Sequence, residues 1–215
     1  MKRIAFYGGS FDPIHLGHLR IARELTERFR LDGFVFIPAY HAPHKLHRKP
    51  TSAFHRFAML CFATSADPNV KISPMELEHP EKPYTVETLA RLKSDSRAFQ
   101  IFFVMGADSW QDILTWREWE KVLLMTNHIV VTRPGYDIDF SHVTDEVRER
   151  IVDLRGIDPP YTLSDSAVRI YITDAVNIQI SASRIRQNIR EDKADWREEL
   201  PDEVAKYIEK YQIYR

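Results

Sequence analysis

Apolar positions in this chain follow two alternating spacings. Short continuous apolar runs, typical of buried strands, alternate with longer stretches in which apolar residues recur every three or four positions, as in an amphipathic helix. The runs predict strands over residues 2–7, 34–37, 70–72, 100–105 and 129–132. The helical spacing predicts helices over residues 16–30, from an N-cap at Ser52 to about Ala66, from an N-cap at Thr85 to about Lys93, and two more between Ser181 and the end, separated near Pro201.

Strands separated by helices predict parallel βαβ units with right-handed crossovers. We therefore expect an α/β fold, a Rossmann-like, doubly wound and mainly parallel sheet flanked by helices. A single domain over 1–215 is expected, with a small C-terminal helical part at about 180–215. Residues 136–165 are the least regular stretch, and Pro159-Pro160 predicts a turn there. In such sheets ligands bind at the carboxyl ends of the strands, so the loops 8–18, 39–49 and 106–116 should share one rim.

Composition narrows the class of protein. The formal net charge of the 215 residues is -1, which gives no electrostatic argument for nucleic acid or an anionic membrane as main partner. No apolar stretch reaches transmembrane length, and the N-terminus lacks the apolar core of a signal peptide. The single cysteine, Cys61, excludes an internal disulfide and is expected to be a buried structural thiol. A cytoplasmic protein is expected, and the oligomeric state, including a homo-oligomer, stays open.

The run Gly-Gly-Ser-Phe-Asp-Pro-Ile-His-Leu-Gly-His at 8–18 carries the strongest chemical signal. It contains three of the seven glycines and stands between a predicted strand and a predicted helix. Backbone amides at such a helix start bind phosphate oxygens, although the run matches neither a Walker loop nor a dinucleotide fingerprint. A tight turn with Asp12 capping the helix ahead of Pro13 is the alternative. That alternative leaves His15 and His18 unexplained, whereas two imidazoles beside one phosphate account for them.

This run resembles the signature of the nucleotidyltransferase superfamily that shares the His-x-Gly-His motif with class I aminoacyl-tRNA synthetases. Residues 180–186 resemble its C-terminal Ile-Ser-x-Thr-x-Ile-Arg motif, with Ser183 in place of threonine; alone, they would indicate only a capped surface helix. Within the superfamily the chain is most similar to the bacterial nicotinate-mononucleotide adenylyltransferases. The further matches are Phe36-Ile37-Pro38, Ala42-Pro43-His44-Lys45 where the family has Pro-Pro-His-Lys, Pro83–Thr85 with Glu87–Leu89, Phe103–Asp108, Trp116 with Trp119, and Arg133–Gly135.

The resemblance implies transfer of an adenylyl group from ATP to nicotinate mononucleotide, with Mg²⁺ carried by the ATP phosphates. It assigns the phosphates of the reaction to His15, His18, Lys45 and Arg186. The implied ATP-binding residues are Gly8, Gly9, Ser10, Phe11, Gly106, Asp108, Ser181 and Ser183. The implied nicotinate-mononucleotide residues are Tyr84, Thr85, Trp116, Arg117 and Arg133, with Trp119 expected in the core.

Other interpretations stay open or are disfavoured. His41, His44 and His47 with His55 suggest zinc, but a proline-containing loop and the lack of a second cysteine argue against it. A related enzyme with nicotinamide mononucleotide or phosphopantetheine as acceptor would share the first motif. A synthetase core is disfavoured because the chain has no room for an anticodon-binding domain. A non-catalytic nucleotide-binding module is the alternative from a different class.

Overall fold

The computed structural model describes residues 1–40, 51–78, 84–95, 99–132, 138–164, 166–176 and 179–215. Of the residues singled out from the sequence, Lys45, Arg133 and the histidines at 41, 44 and 47 lie outside the described residues.

A parallel sheet forms the centre of the molecule. Its seven strands are β1 (Lys2–Gly9), β2 (Gly33–Pro38), β3 (Val70–Ile72), β4 (Phe99–Gly106), β5 (Asn127–Val131), β6 (Ile151–Asp153) and β7 (Ile170–Thr173). They lie in the order β3-β2-β1-β4-β5-β7-β6, and every strand pair is parallel. The predicted Rossmann-like α/β class is confirmed.

Helices cover both faces of this sheet. They are α1 (Leu16–Arg28), α2 (Ala53–Thr64), α3 (Thr85–Asp95), α4 (Ala107–Gln111), α5 (Trp119–Met125), α6 (Asp145–Arg148), α7 (Ala182–Arg190) and α8 (Asp202–Lys210). Two 3₁₀ turns, Ile113–Thr115 and Ala194–Glu199, complete the set among the described residues. The predicted C-terminal helices are confirmed on either side of Pro201, which is the N-cap of α8.

The central strand β4 shows why the sheet needs two helical layers. Phe102 and Val104 belong to the first apolar cluster of buried residues, and Ile101, Phe103 and Met105 belong to the second apolar cluster. Successive side chains of a strand point to opposite faces, so a strand with five successive apolar positions, 101–105, must be covered on both sides. The continuous apolar run is therefore the sequence signature of this layered arrangement.

Segment 138–164 has more structure than its sequence predicts. It contributes α6 and the edge strand β6, and the following strand β7 was also missed. The segment supports α4: the indole Nε1 of the fully buried Trp110 donates to the carbonyl of Asp139 at 2.9 Å. The ring of His142 lies 3.3 Å from the carbonyl of Trp110. Both missed strands are four residues or shorter, too short for a periodic signal.

Three local predictions need correction. Cys61 is exposed on α2 instead of buried, because the helix faces its partners with other positions. Asp12 does not cap a helix at Pro13, since α1 begins at Leu16 with His15 as N-cap. Helix α3 is capped one residue earlier than predicted, because the carbonyl of Tyr84 accepts the first helical hydrogen bonds. The N-cap at Ser52 is confirmed.

Two ionisable side chains, one fully buried and one half-buried, have pKa values shifted in opposite senses. His128 is fully buried on β5, and burial lowers its pKa to about 4, while its Nδ1 lies 2.9 Å from the carbonyl of Thr126. Burial raises the pKa of Glu76 to about 7, although its Oε1 accepts a hydrogen bond from the Thr88 hydroxyl at 2.8 Å. Between pH 4.5 and 6.5 the unfolded chain holds more of the histidine proton, and the folded chain holds more of the glutamic acid proton.

These shifts predict opposing contributions to the pH dependence of folding. His128 makes the free energy of unfolding rise with pH from about 4 to 6.5, and Glu76 makes it fall from about 4.5 to 7, each by up to about 3 kcal/mol. We expect the free energy of unfolding of His128→Asn to fall with rising pH, because the contribution of Glu76 remains. That of Glu76→Gln should rise with pH, because the contribution of His128 remains. Urea unfolding between pH 4.5 and 7.5 measures both, with His55→Asn, a partly exposed histidine, as control. An unchanged slope in either variant would contradict the assignment.

Candidate active site

The strand order places one crevice at the carboxyl end of the sheet. From β1 the chain builds outward to β2 and β3, then returns to β4 on the other side of β1 and continues to β5. The order therefore reverses between β1 and β4, the point at which open α/β sheets bind ligands. Gly9 ends β1 and Gly106 ends β4, so both predicted ATP loops leave the sheet there.

His15 and His18 meet at the start of α1. Their rings stack with centroids 3.6 Å apart and planes inclined by 22°. The backbone amide of His15 donates to Nδ1 of His18 at 3.3 Å, which fixes the second ring against the helix start. His15 is buried, with 7% of its surface exposed, whereas His18 is half-buried. The second imidazole is therefore the more accessible of the two.

The packing of these rings leaves little room for a side chain at Gly17. A Cβ at this position would lie 3.0 Å from Nδ1 of His15 and 3.5 Å from Cβ of Ile180. The glycine thus lets the first imidazole and the chain leading into α7 approach the same turn of α1. The sequence shows the glycine, but only the tertiary structure shows that the His15 ring and Ile180 lie against it.

The loop between β1 and α1 is held by the buried ring of Phe11. This residue has a left-handed φ of 46° and leaves 3% of its surface exposed. Its ring packs edge-on against His18 at 5.1 Å, and a Cβ on Gly9 would lie 2.9 Å from it. Gly8 and Gly9 pair with Ile37 and Pro38 of β2. Gly9 therefore makes room for the Phe11 ring, whereas a Cβ on Gly8 would lie 3.1 Å from the ring of Phe103.

The C-terminal motif reaches this loop through Arg186. Its Nη1 donates to the carbonyl of Asp12 at 2.5 Å, and its Nη2 to the hydroxyl of Ser183 at 3.2 Å. Ser181 is the N-cap of α7, so the three residues stand on the first turns of one helix. Two motifs 174 positions apart are thus brought together, as the resemblance implies.

Two residues in this site, Arg56 and Tyr214, were not singled out from the sequence. Arg56 donates to the carbonyls of Ser10 and Thr51, and the hydroxyl of Tyr214 donates to Asp12. One signal was available for Arg56: it is the only formally charged residue in α2. The role of Asp12 carried no such signal, because Asp-Pro is also an ordinary turn.

Gly106 and Asp108 form the second wall of the crevice. A Cβ on Gly106 would lie 2.7 Å from Oδ1 of Asp108, and that oxygen accepts a hydrogen bond from the amide of Ser109 at 2.9 Å. The carboxylate is exposed at the start of α4. Its position there depends on a glycine at 106.

Four of the five predicted nicotinate-binding residues lie on or next to α3 and the 3₁₀ turn that precedes Trp116, and the fifth, Arg133, lies outside the described residues. The guanidinium of Arg117 lies 4.8 Å from the ring centroid of Tyr84, and its Nη1 lies 3.7 Å from Oε1 of Glu87. Thr85 opens α3 directly after Tyr84. Contacts between the side chains therefore join two segments about thirty positions apart.

The tryptophans divide differently from the prediction. Trp116 and Trp119 are both half-buried and both pack against the second apolar cluster. The fully buried tryptophan is Trp110, which the sequence reasoning did not single out. Partial exposure keeps Trp116 available for a ligand, a role that stays a prediction.

Within the described part of the chain, no group of three or more histidine, cysteine or acidic side chains is arranged to hold a metal ion. His55 instead bonds to the hydroxyl of Tyr207, with 2.9 Å between Nδ1 and the oxygen. In the same residues no helix is both long and apolar enough to cross a membrane.

Comparison with known proteins agrees with this architecture. A cytidylyltransferase-like family model matches residues 6–188. A protein of Desulfatibacillum aliphaticivorans named probable nicotinate-nucleotide adenylyltransferase is 35% identical over 217 aligned residues, covering 99% of each chain. A Thermus thermophilus protein of the same name is 33% identical, covering 99% of this chain and 100% of its own.

A solved structure supports the fold independently. Plasmodium falciparum nicotinic acid mononucleotide adenylyltransferase complexed with NaAD superposes with a TM-score of 0.73 at 20% identity, covering 100% of this chain and 98% of its own. From the family model and the full-length relatives, the chain belongs to the cytidylyltransferase-like family and, within it, to the nicotinate-nucleotide adenylyltransferases.

Proposed function

We infer that this protein transfers the adenylyl group of ATP to nicotinate mononucleotide, producing nicotinate adenine dinucleotide and pyrophosphate in NAD biosynthesis. The observation that carries the inference is the meeting of the His15–His18 pair with Arg186 at the switch point of the sheet. The family membership specifies the two substrates. The single domain, a cytoplasmic location and the oligomeric state stay predictions.

The chemistry requires positioning and charge stabilisation. An oxygen of the mononucleotide phosphate attacks the α-phosphorus of ATP, a new P–O bond forms, and the bond to the bridging oxygen of the β-phosphate breaks. The attacking phosphate is already ionised, so the step needs no protein base and no covalent intermediate. The protein holds two anions in line and stabilises the charge that develops on the α-phosphate and the leaving pyrophosphate.

The ATP phosphates are assigned to the start of α1 and α7. His15 is fixed by burial and contacts the phosphates as a rigid donor, while the accessible His18 follows the α-phosphate into the transition state. Arg186 and Lys45 neutralise the pyrophosphate. The remaining ATP contacts are proposed for the glycine loop, the β4–α4 turn and the start of α7, namely Gly8, Gly9, Ser10, Phe11, Gly106, Asp108, Ser181 and Ser183.

The mononucleotide is assigned to the neighbouring segment. Trp116 offers a flat face to the pyridine ring, worth on the order of 1 kcal/mol beyond burial. The first turn of α3 at Thr85 presents amides and a positive helix end to the pyridine carboxylate. Arg117 adds a positive charge, and its guanidinium packs over the ring of Tyr84. Arg133 completes the proposed set.

A Mg²⁺ ion fits this site as part of the ATP complex. The Asp12 carboxylate accepts hydrogen bonds from Tyr214 and the Thr51 amide, and Asp108 accepts one from Ser109. Carboxylates engaged in this way do not form an all-protein cage, and Mg²⁺ commonly binds through substrate phosphates and water. When bound, the ion neutralises phosphate charge.

The acceptor identifies the reaction. We expect release of pyrophosphate from ATP with nicotinate mononucleotide, weaker release with nicotinamide mononucleotide, and none with phosphopantetheine. The reason is the match between the pyridine carboxylate and the positive helix end at Thr85 together with the Arg117 guanidinium. A coupled pyrophosphate assay measures all three. Release with phosphopantetheine alone would move the protein to the related enzyme, and no release with any acceptor would favour a binding module.

The second imidazole should carry a large part of the catalysis. Removing one donor from an oxyanion-binding site costs ~10² to 10³ in rate, so His18→Ala should lose at least that much kcat. Its thermal unfolding should stay close to that of the native protein, because the ring is half-buried. His55→Ala, which removes a histidine bonded to Tyr207, is the control. Near-normal turnover of His18→Ala would refute the assignment.

Gly17→Ala should separate stability from activity. Alanine favours a helix over glycine by ~1 kcal/mol, so unfolding should not become easier. The new methyl would crowd the His15 ring, and a small misplacement should lower kcat by about tenfold or more. Steady-state rates and urea melts measure the two effects. The control is Gly33→Ala, at the amino-terminal end of β2 and so away from the site at the carboxyl ends of the strands. Equal activity of the two variants would contradict the prediction.

A further inference from the structure

The C-terminal end of the chain contacts the ATP loop. The hydroxyl of Tyr214, the next-to-last residue, donates to Oδ1 of Asp12 at 2.7 Å across 202 positions of sequence. Helix α8 packs on α2, and the chain then turns back, with the amide of Ile213 bonded to the carbonyl of Ile208 at 3.0 Å. The side chain of Tyr214 packs against the first apolar cluster. The contact is therefore part of the fold, beyond a loose terminus touching the surface.

Asp12 is held by donors from three separate segments. Besides Tyr214, the Thr51 amide donates to its Oδ2 at 3.2 Å, and Arg186 donates to its carbonyl at 2.5 Å. Only 8% of Asp12 is exposed. A buried carboxylate is costly unless donors satisfy it, so each of these contacts constrains where the residue lies.

Arg56 stabilises the backbone around Asp12 through a second set of hydrogen bonds. Its guanidinium donates to the carbonyls of Ser10 at 2.7 Å, Thr51 at 3.0 Å and Tyr40 at 3.3 Å, and 1% of the residue is exposed. Burial lowers the pKa of Arg56, and the nearby Asp12 carboxylate opposes that shift. The two opposite charges thus stabilise one another while their hydrogen bonds go to other groups.

Tyr214 suits the role of a neutral donor at this position. Burial and the adjacent Asp12 carboxylate hold the pKa of its phenol far above the ordinary value, so the hydroxyl keeps its proton across the working pH range. A neutral hydroxyl satisfies the carboxylate without adding a positive charge that would attract phosphates to the wrong place. A lysine or arginine there would compete with Arg186 for the same anions.

We propose that Tyr214 is a positioning residue for adenylyl transfer, acting through Asp12 on the loop that carries Ser10 and His15. The proposal rests on the proposed function. Asp12 stands between those two residues in the chain, and its carbonyl orients Arg186. Without the hydroxyl, the carboxylate loses its shortest hydrogen bond. The loop and the Arg186 guanidinium are then held less firmly in position.

The consequence should fall on ATP and spare the second substrate. The described contacts of Tyr214 and Asp12 lie with the loop, Thr51 and Arg186, and none joins them to α3 or to residues 113–117. Weaker placement of the loop should therefore raise KM for ATP or lower kcat. The KM for nicotinate mononucleotide should not change.

Tyr214→Phe tests this with the ring retained. We expect kcat/KM for ATP to fall about tenfold or more, because a hydrogen bond to a charged group is lost. The matched control is Tyr207→Phe. This change removes a hydroxyl on α8 that is hydrogen-bonded to Nδ1 of His55 on α2. Both variants lose one tyrosine hydrogen bond, and we expect only Tyr214→Phe to lose activity toward ATP. Thermal melts of the two check that both are folded.

Asp12→Asn provides the second line of evidence. Asparagine keeps the size but replaces one acceptor by a donor, so it should cause a similar loss, and adding Tyr214→Phe to it should change kcat/KM for ATP less than twofold. Additive losses, or a Tyr214→Phe variant that matches Tyr207→Phe, would overturn the proposal. Calorimetric titration with ATP separates it from the proposed function: weaker binding by Tyr214→Phe supports the positioning role even if no adenylyl transfer to nicotinate mononucleotide is found.

Discussion

The buried guanidinium of Arg56 is the interaction on which the site depends most. It bonds to backbone carbonyls of Ser10, Tyr40 and Thr51, which belong to three different segments. Carbonyl partners let an arginine fix backbone without consuming an acidic side chain. The opposite charge of Asp12 nearby makes burial of the cation tolerable. The bonds of Arg56 fix the glycine loop relative to the start of α2, and the bond from Arg186 to Asp12 fixes α7 relative to the same loop.

A division of labour follows from the chemistry. A site that brings two anions together must present cations and amide groups without attracting its own carboxylates into the phosphate position. Here the Asp12 carboxylate accepts hydrogen bonds from Tyr214 and Thr51, while Arg186 donates to the backbone carbonyl of the same residue. The glycines serve the same end: Gly17 admits the His15 ring and Gly106 admits the Asp108 carboxylate. In the proposed mechanism, this arrangement lets the two imidazoles and the Arg186 guanidinium face the phosphates.

Sequence reasoning succeeded where a local signal was strong. The long apolar run of β4 and the periodic stretch of α1 were predicted to within a few residues, whereas the three-residue strand β6 was missed. Short strands are decided by partners elsewhere in the chain. The same limit explains Cys61, expected in the core from its apolar neighbours but exposed, because α2 buries only one face.

By itself, the sequence determined the class of fold and the family to which the chain belongs, and it predicted phosphate binding by the loop at 8–18. Those features depend on periodicity and on motifs whose residues are near one another in sequence. The tertiary structure alone decided the stacking of His15 on His18, the attachment of Arg186 to Asp12 and the return of Tyr214 to the same residue. Contacts across 174 and 202 positions arise from packing of distant elements, and no local pattern encodes them.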